Sequence, residues 1–383
     1  MRALLDRLTS LPEIGEIFRR LETGKTPVLL TGLSPIHKAH VIAAIRRKTG
    51  RCVAVIGADD RALSRIALDA EVFAGEESAV LVPKEQIFYQ ADSASRESEQ
   101  RRIAFFYEWE RTPLAFLSAE AAAARTLPPE ILKKAVIRLR VGDILEPAEL
   151  SRRLVDAGYR RVEAIDARSG GEFAVRGSIF DIYPVNAELP YRIDFFDDEV
   201  DSIARFSTET QRRVDQTGEA VILPAAEALP RYAEGGIEGC AERIRLLEER
   251  LKRRKKLSDK LRETLEGDRE ALLENGTFAA IDRIYPQIYG EFASALDHLP
   301  PDAIVVLDDP GRIAESMKNA DWRRGEEAVS LMEAGLISDE QTDWMMDHAA
   351  FVQTLAGKSV VMLDTFTAGG YEPAPRAVTS ILT

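Results

Sequence analysis

The chain has 383 residues, 45% hydrophobic and 30% charged, enough for two or three domains that each bury a core. With 51 basic against 64 acidic residues the net charge is −13, which weighs against an unaided grip on DNA, because phosphate binding depends on Lys and Arg. No apolar run reaches the roughly 18 residues that span a bilayer, and Met1 to Glu22 mixes apolar and charged residues at helical spacing without a signal peptide's uncharged core. A cytoplasmic chain with no membrane partner is expected.

In chain order, Pro27 to Leu30 reads as a strand and Pro35 to Lys48 as the helix after it. Cys52 to Ile56 and Asp60 to Phe73 repeat the pattern, followed by a strand at Ala79 to Val82, a helix at Ser95 to Glu110 and a strand at Leu114 to Ser118. Strands separated by helices of this length point to a parallel α/β sheet. The pattern changes near Pro128 and Pro129. Ala135 to Val141 reads as a strand and Pro147 to Gly158 as a helix. Strands then follow one another at Glu172–Arg176, Ile179–Tyr183, Tyr191–Phe196 and Val200–Phe206, with Asp197-Asp198 suiting a tight hairpin turn.

From Ala225 the chain turns helical, with one long charged helix centred on 238–266 that carries the basic run Arg250 to Lys256 on a solvated face. Apolar strands return at Ile304–Leu307 and Ser359–Leu363, and Thr365 to Thr383, with Gly369-Gly370 and two prolines, reads as a linker. The expected fold class is therefore α/β. A parallel-sheet domain in two chain segments, 1–127 and 225–364, carries an inserted α+β domain at 128–224 and a linker at 365–383.

The two cysteines, Cys52 and Cys240, have no CxxC partner, and His37 and His40 lack a third ligand, so no metal is expected. No cofactor is expected either. Thr31-Gly32 through Lys38 sits where a phosphate-binding loop would sit, between a strand and a helix N-terminus. G-x-x-x-x-G-K-[ST] requires a second glycine to open the backbone and a hydroxyl after the lysine for magnesium; Ile36-His37-Lys38-Ala39 supplies neither. Lys38 reads as a surface lysine. Ile304 to Asp309 has the form of a strand ending in magnesium-positioning acids, yet Asp308 and Asp309 before Pro310 suit helix capping equally well. Gly32, Lys38, Asp308 and Asp309 thus form a degenerate nucleotide loop that is not expected to bind. Catalytic residues are not expected.

The most specific text lies between these halves. Gly158-Tyr159-Arg160-Arg161-Val162, Gly171-Glu172-Phe173-Ala174-Val175-Arg176-Gly177-Ser178-Ile179-Phe180-Asp181-Ile182-Tyr183-Pro184 and Leu189 to Ile203 closely resemble the domain shared by the excision-repair protein UvrB and bacterial transcription-repair coupling factors (Mfd). Phe195-Phe196-Asp197-Asp198-Glu199, Tyr289-Gly290-Glu291 and Leu296 to Pro300 favour the coupling factors, specifically their N-terminal UvrB-homology region, and the resemblance runs from about Thr26 to Leu363. It implies a degenerate nucleotide-binding-like domain and an inserted domain that docks on UvrA, the damage-recognition ATPase. It implies no ATPase in this chain. RNA polymerase and double-stranded DNA would be engaged through domains absent here, so the chain reads as a fragment or a truncated gene product, its linker-like end suiting a cut at a domain boundary. The implied UvrA contacts are Arg160, Arg176 and Phe180.

Two of these three, Arg176 and Phe180, have a plainer reading. Arg176 could pair with the acidic hairpin at Asp197 to Asp201, and Phe180 could be core. Period-two alternation puts Ser178 and Phe180 on the face of Arg176, so an exposed Arg176 implies an exposed Phe180 beside it. Two competing functions remain at this stage: a UvrB-like damage-verifying ATPase, which requires an intact phosphate loop, and an autoinhibitory masking domain.

Overall fold

The computed structural model describes residues 2–89, 96–166, 170–367 and 369–381, with 2–4 and 6 described by backbone alone. The parts of the expected elements at Met1, Ser95, Ala368 and 382–383 lie outside the described residues.

Two helices, α1 (Arg2–Thr9) and α2 (Pro12–Glu22), precede an alternating series. It runs β1 (Val28–Thr31), α3 (Pro35–Thr49), β2 (Val53–Gly57), α4 (Asp60–Ala74), β3 (Ser78–Leu81), α5 (Glu97–Glu108), β4 (Leu114–Ser118) and the short α6 (Ala119–Ala123). Local chemistry fixes these boundaries. Pro35 opens α3 with its φ preset and without a wasted N–H, and Gly50 ends it at φ 68°. Asp59 caps α4 by accepting from the Ala62 N–H at 2.8 Å, and Gly75 closes it at φ 70°. β1, β2 and β4 are buried at every position, as strands covered on both faces must be.

The insert contains α7 (Pro129–Ala135), β5 (Ile137–Arg140), α8 (Pro147–Asp156), β6 (Arg160–Arg161), β7 (Glu172–Arg176), β8 (Ile179–Tyr183), β9 (Tyr191–Phe196), β10 (Glu199–Phe206), β11 (Arg213–Thr217) and β12 (Glu219–Ile222). Six of these strands form one sheet in the order β11-β10-β9-β8-β7-β6, while β12 pairs with β5 in a separate ribbon. Alternation sends Phe173, Phe180, Ile182, Ile193, Phe195 and Ile203 inward onto Leu150 and Leu154 of α8 and onto the β5–β12 ribbon.

The chain re-enters the body through α9 (Gly236–Arg253), α10 (Asp259–Asn275), α11 (Tyr285–Ile288), β13 (Ile304–Asp308), the 24-residue α12 (Pro310–Glu333), α13 (His348–Thr354), β14 (Ser359–Leu363) and β15 (Ala377–Ser380). Among the described residues the main sheet has seven strands in the order β15-β1-β14-β13-β2-β4-β3, all parallel. β13 and β14 enter between β1 and β2, so the two chain segments build one sheet and the α+β domain is an insertion within it.

Glu227, at the exit from the insert, ties the segments together. Its buried carboxylate accepts from Arg102 Nε at 2.7 Å and Thr126 Oγ1 at 2.8 Å and pairs with Lys84 Nζ at 3.1 Å. Burial alone would raise that carboxyl, but Lys84 and Arg102 overcome it and hold the group down at about 2. Tyr289 donates its hydroxyl to the Glu227 carbonyl at 2.7 Å and accepts from the Leu229 N–H at 3.0 Å, while Arg125 donates to the Tyr289 and Glu291 carbonyls. The Tyr289-Gly290-Glu291 segment therefore serves the joint between the two halves.

Two expectations need correction. The single helix expected over 238–266 is two, because Lys255 adopts φ 56° and Ser258 starts α10 by capping the Leu261 N–H. The basic run lies at that turn and is partly neutralised there: Arg250 and Arg254 pair with Glu340, and Lys256 with Asp339. The expected linker supplies β15, whose parallel register on β1 extends from Val28–Ala377 to Thr31–Ser380.

Candidate functional site

The outer face of the six-stranded sheet carries paired charges around a small apolar cluster of Ile165, Ala174 and Phe206, whereas its inner face is apolar. Register places Arg160 of β6 beside Glu172 of β7, Arg176 of β7 beside Ile179 of β8, and Asp181 of β8 beside Arg192 of β9. Asp181 is buried and lies at the centre of the charges: it accepts from Arg192 Nε at 2.7 Å and Arg192 Nη2 at 2.9 Å, and from the Arg176 guanidinium. Arg192 is further fixed by its guanidinium lying 4.4 Å from the Phe206 ring centroid. Arg160 donates to Glu172, and Arg213 to Asp194. Bidentate and charge-assisted bonds of this kind hold guanidinium planes in one orientation. Arg160 and Arg176 remain largely exposed despite these bonds. What results is a rigid platform of oriented cationic groups on a domain set into the body by its two chain crossings.

Arg176 pairs with Asp181 rather than with the acidic hairpin at 197–201. Phe180 is not exposed. It is only 1% accessible, packs in the inner core with its ring centroid 5.4 Å from that of Phe195, and is paired in register with Val175 and Ile193. The alternation that would have exposed it is interrupted by the Gly177-Ser178 turn, where Gly177 adopts φ 64°. A two-residue turn returns the chain so that Arg176 faces Ile179 across the hairpin, which moves Phe180 to the opposite face. Arg160 and Arg176 thus share the outer face, and Phe180 supports that face from beneath.

Asp181 and Arg192 were missed as members of the site. The signal was present, since Asp181 and Arg192 occupy outward positions in strands whose inward positions are all apolar. Beside the platform, a cleft of about 1020 Å³ separates the insert from the body and is lined by Arg96, Arg101, Arg160, Arg161 and Arg231 among others.

The degenerate nucleotide loop differs from its expectation in two respects. Lys38 is 2% accessible, not a surface residue, and its ammonium lies 2.7 Å from Asp308 Oδ1 and 2.6 Å from Asp309 Oδ1. Asp309 occupies the N-cap position of α12, at φ 52°, but its side chain makes no capping bond. The space over Gly32 is occupied as well, because a Cβ there would meet the Ile381 carbonyl oxygen at 2.2 Å. The C-terminal segment also closes on the loop through Leu33 N–H to Asp364 O at 3.2 Å and Ile381 N–H to Thr31 O at 3.1 Å. The residues that would cradle phosphate and magnesium are bound to one another and to the chain's own backbone. No helix among the described residues is long and apolar enough to cross a membrane.

Residues 137–227, the span of the inserted sheet and its exit, match the UvrB interaction domain family. Over 329 residues, 84% of the chain, the sequence is 31% identical to the transcription-repair-coupling factor of Bacillus subtilis. It is 29% identical over 300 residues, 73% of the chain, to that of Myxococcus xanthus, and 26% identical over 280 residues, also 73% of the chain, to that of Haemophilus influenzae. The matched regions span only 27%, 24% and 23% of those relatives, so the chain corresponds to about a quarter of their length.

Proposed function

The chain carries the UvrB-homology region of transcription-repair-coupling factors, and on that premise we propose that it recruits the excision-repair protein UvrA to DNA lesions at stalled RNA polymerase. The observation that carries this reading is the match of 137–227 to an interaction domain whose outer face presents Arg160 and Arg176 as oriented, exposed guanidinium groups. Arginine is favoured at interfaces because its planar fork keeps its hydrogen-bonding geometry with little further ordering. In this reading Arg160 and Arg176 touch UvrA, while Phe180 holds the sheet that displays them.

Contacts to RNA polymerase and double-stranded DNA belong, in this reading, to parts of the longer relatives beyond the matched region. The chain hydrolyses no ATP of its own. Supporting that, Lys38 is held by Asp308 and Asp309, and the Ile381 carbonyl fills the space over Gly32. The cytoplasm is the proposed location, since all of these partners act there. Size-exclusion chromatography of the chain mixed with purified UvrA tests the proposal: a co-eluting complex is expected, and separate elution at micromolar concentrations of both would contradict it.

A further inference from the structure

The end of the inserted sheet that carries Arg176 also carries apolar side chains pointing into solvent. Phe196 is 77% accessible, Ile144 67% and Val141 49%. Register orders them: Phe196 pairs with Glu199, and Glu199 bridges to Ile144, so Phe196, Glu199 and Ile144 lie in one row across three segments. Phe196 follows Asp194 by two residues, and Asp194 pairs with Ile179, the partner of Arg176. Phe196 therefore lies on the outer face, at the same end of the sheet as the Gly177-Ser178 turn, whose Ser178 carbonyl accepts from the Phe195 N–H at 2.9 Å.

The fold has no internal use for these exposed groups, since Ile193, Phe195 and Val200 already fill the inner positions of the same hairpin. The tip is nevertheless held in place. Leu145 N–H donates to Asp198 O at 2.7 Å, Gly142 N–H to Val200 O at 2.8 Å, and Val200 N–H to Asp143 O at 2.9 Å, which fasten the 141–145 loop to the hairpin. An exposed aromatic on a fixed backbone has little freedom left to lose on binding. Around it stand Asp143, Asp197, Asp198, Glu199 and Asp201, all exposed, and the last four form no ion pair among the described residues.

We propose that Phe196, flanked by Ile144, is the aromatic anchor of the partner interface, inserting into an apolar pocket rimmed by Lys and Arg on a protein partner. The acidic collar supplies the complementary charge: it steers a basic-rimmed pocket onto the tip and repels an acidic one. This rests on the recruitment reading above in taking UvrA as the partner, and it moves the centre of the contact from the sheet face to its end. An exposed Phe at the same end of the sheet as Arg176 is present, but it is supplied by β9 rather than β8.

Calorimetric titration of purified UvrA with the wild-type chain, Phe196→Ser, Ile144→Ser and the double variant Asp198→Lys/Glu199→Lys tests this, with thermal melting of each variant as the control for folding. Phe196→Ser is expected to weaken binding at least about 30-fold, as a central hot spot does, with an unchanged melting temperature. Ile144→Ser is expected to weaken it about five-fold, and the charge reversal to weaken it about ten-fold at low salt, with the difference shrinking as salt is raised. Wild-type affinity in Phe196→Ser, alongside lost binding in Arg176→Glu, would overturn the tip and leave recruitment standing. No binding by folded wild type would overturn both. Self-association of the wild type that Phe196→Ser dissolves would also overturn it, assigning the tip to contacts between copies.

Discussion

Replacing Phe180 with alanine separates support from contact. The ring is 1% accessible and packs against Phe195 over a core closed by Leu150 and Leu154, so the atoms removed leave a cavity that strand and helix cannot close together to fill. Phe→Ala at such a site costs about 3–5 kcal/mol, of which roughly 0.5–1.5 is the aromatic pair itself. Local openings of the insert should become more frequent by that amount, or about two to four decades in amide protection of β7, β8 and β9. Hydrogen exchange on the intact chain reads this directly, strand by strand. Phe180→Leu, which keeps most of the volume, should lose about 1–1.5 kcal/mol and retain UvrA binding wherever it remains folded. Protection within about threefold of wild type in Phe180→Ala, together with lost binding, would refute the assignment of Phe180 to the core.

Two further outcomes follow from buried charge. Lys38→Met should destabilise the chain by about 3 kcal/mol at neutral pH, because Asp308 and Asp309 then face each other without a cation. That loss should shrink in acid, since burial already pushes the Asp308 carboxyl up and its protonation removes the repulsion; urea unfolding at two pH values checks it, and an undiminished loss would contradict it. Magnesium and ATP should leave the melting temperature of wild type unchanged. For Glu227, held at about 2 when folded against 4.5 otherwise, the lowered value means stability that is complete above about pH 4.5 and lost as pH falls toward 2. Glu227→Gln should therefore be less stable than wild type by about 3–5 kcal/mol at pH 7, with the gap narrowing between pH 5 and pH 2; a constant gap would refute the ionic account of the joint.

Much of the α/β body was legible because it is written in long, regular signals. Near-continuous apolar strands such as Val53–Gly57 and Ile304–Asp308, separated by capped helices, admit few arrangements. What period and composition could not reveal were features decided by single residues or by distant partners. The Gly177-Ser178 turn reverses the face on which Phe180 lies, and a reading that counted straight through it exposed a core residue. Lys38 has the composition of a surface position, and only the return of β13 between β14 and β2 brings Asp309 to it from 271 positions along the chain, with Asp308 beside it. β15 looked like a linker because an edge strand of four residues, alternating half-buried and exposed, carries almost no apolar signal. The charged face escaped notice for the opposite reason: its arginines and acids were visible, but their pairing depends on register.

The central claim is tested most directly by calorimetric titration of this chain with purified UvrA, wild type against Arg176→Glu. Arg192 holds Asp181 independently, so the substituted sheet should stay folded. The account predicts a saturable complex with wild type that the charge reversal weakens by more than about 2 kcal/mol, roughly 30-fold. Equal binding by both proteins would remove Arg176 from the contact, and no binding by folded wild type would contradict recruitment itself.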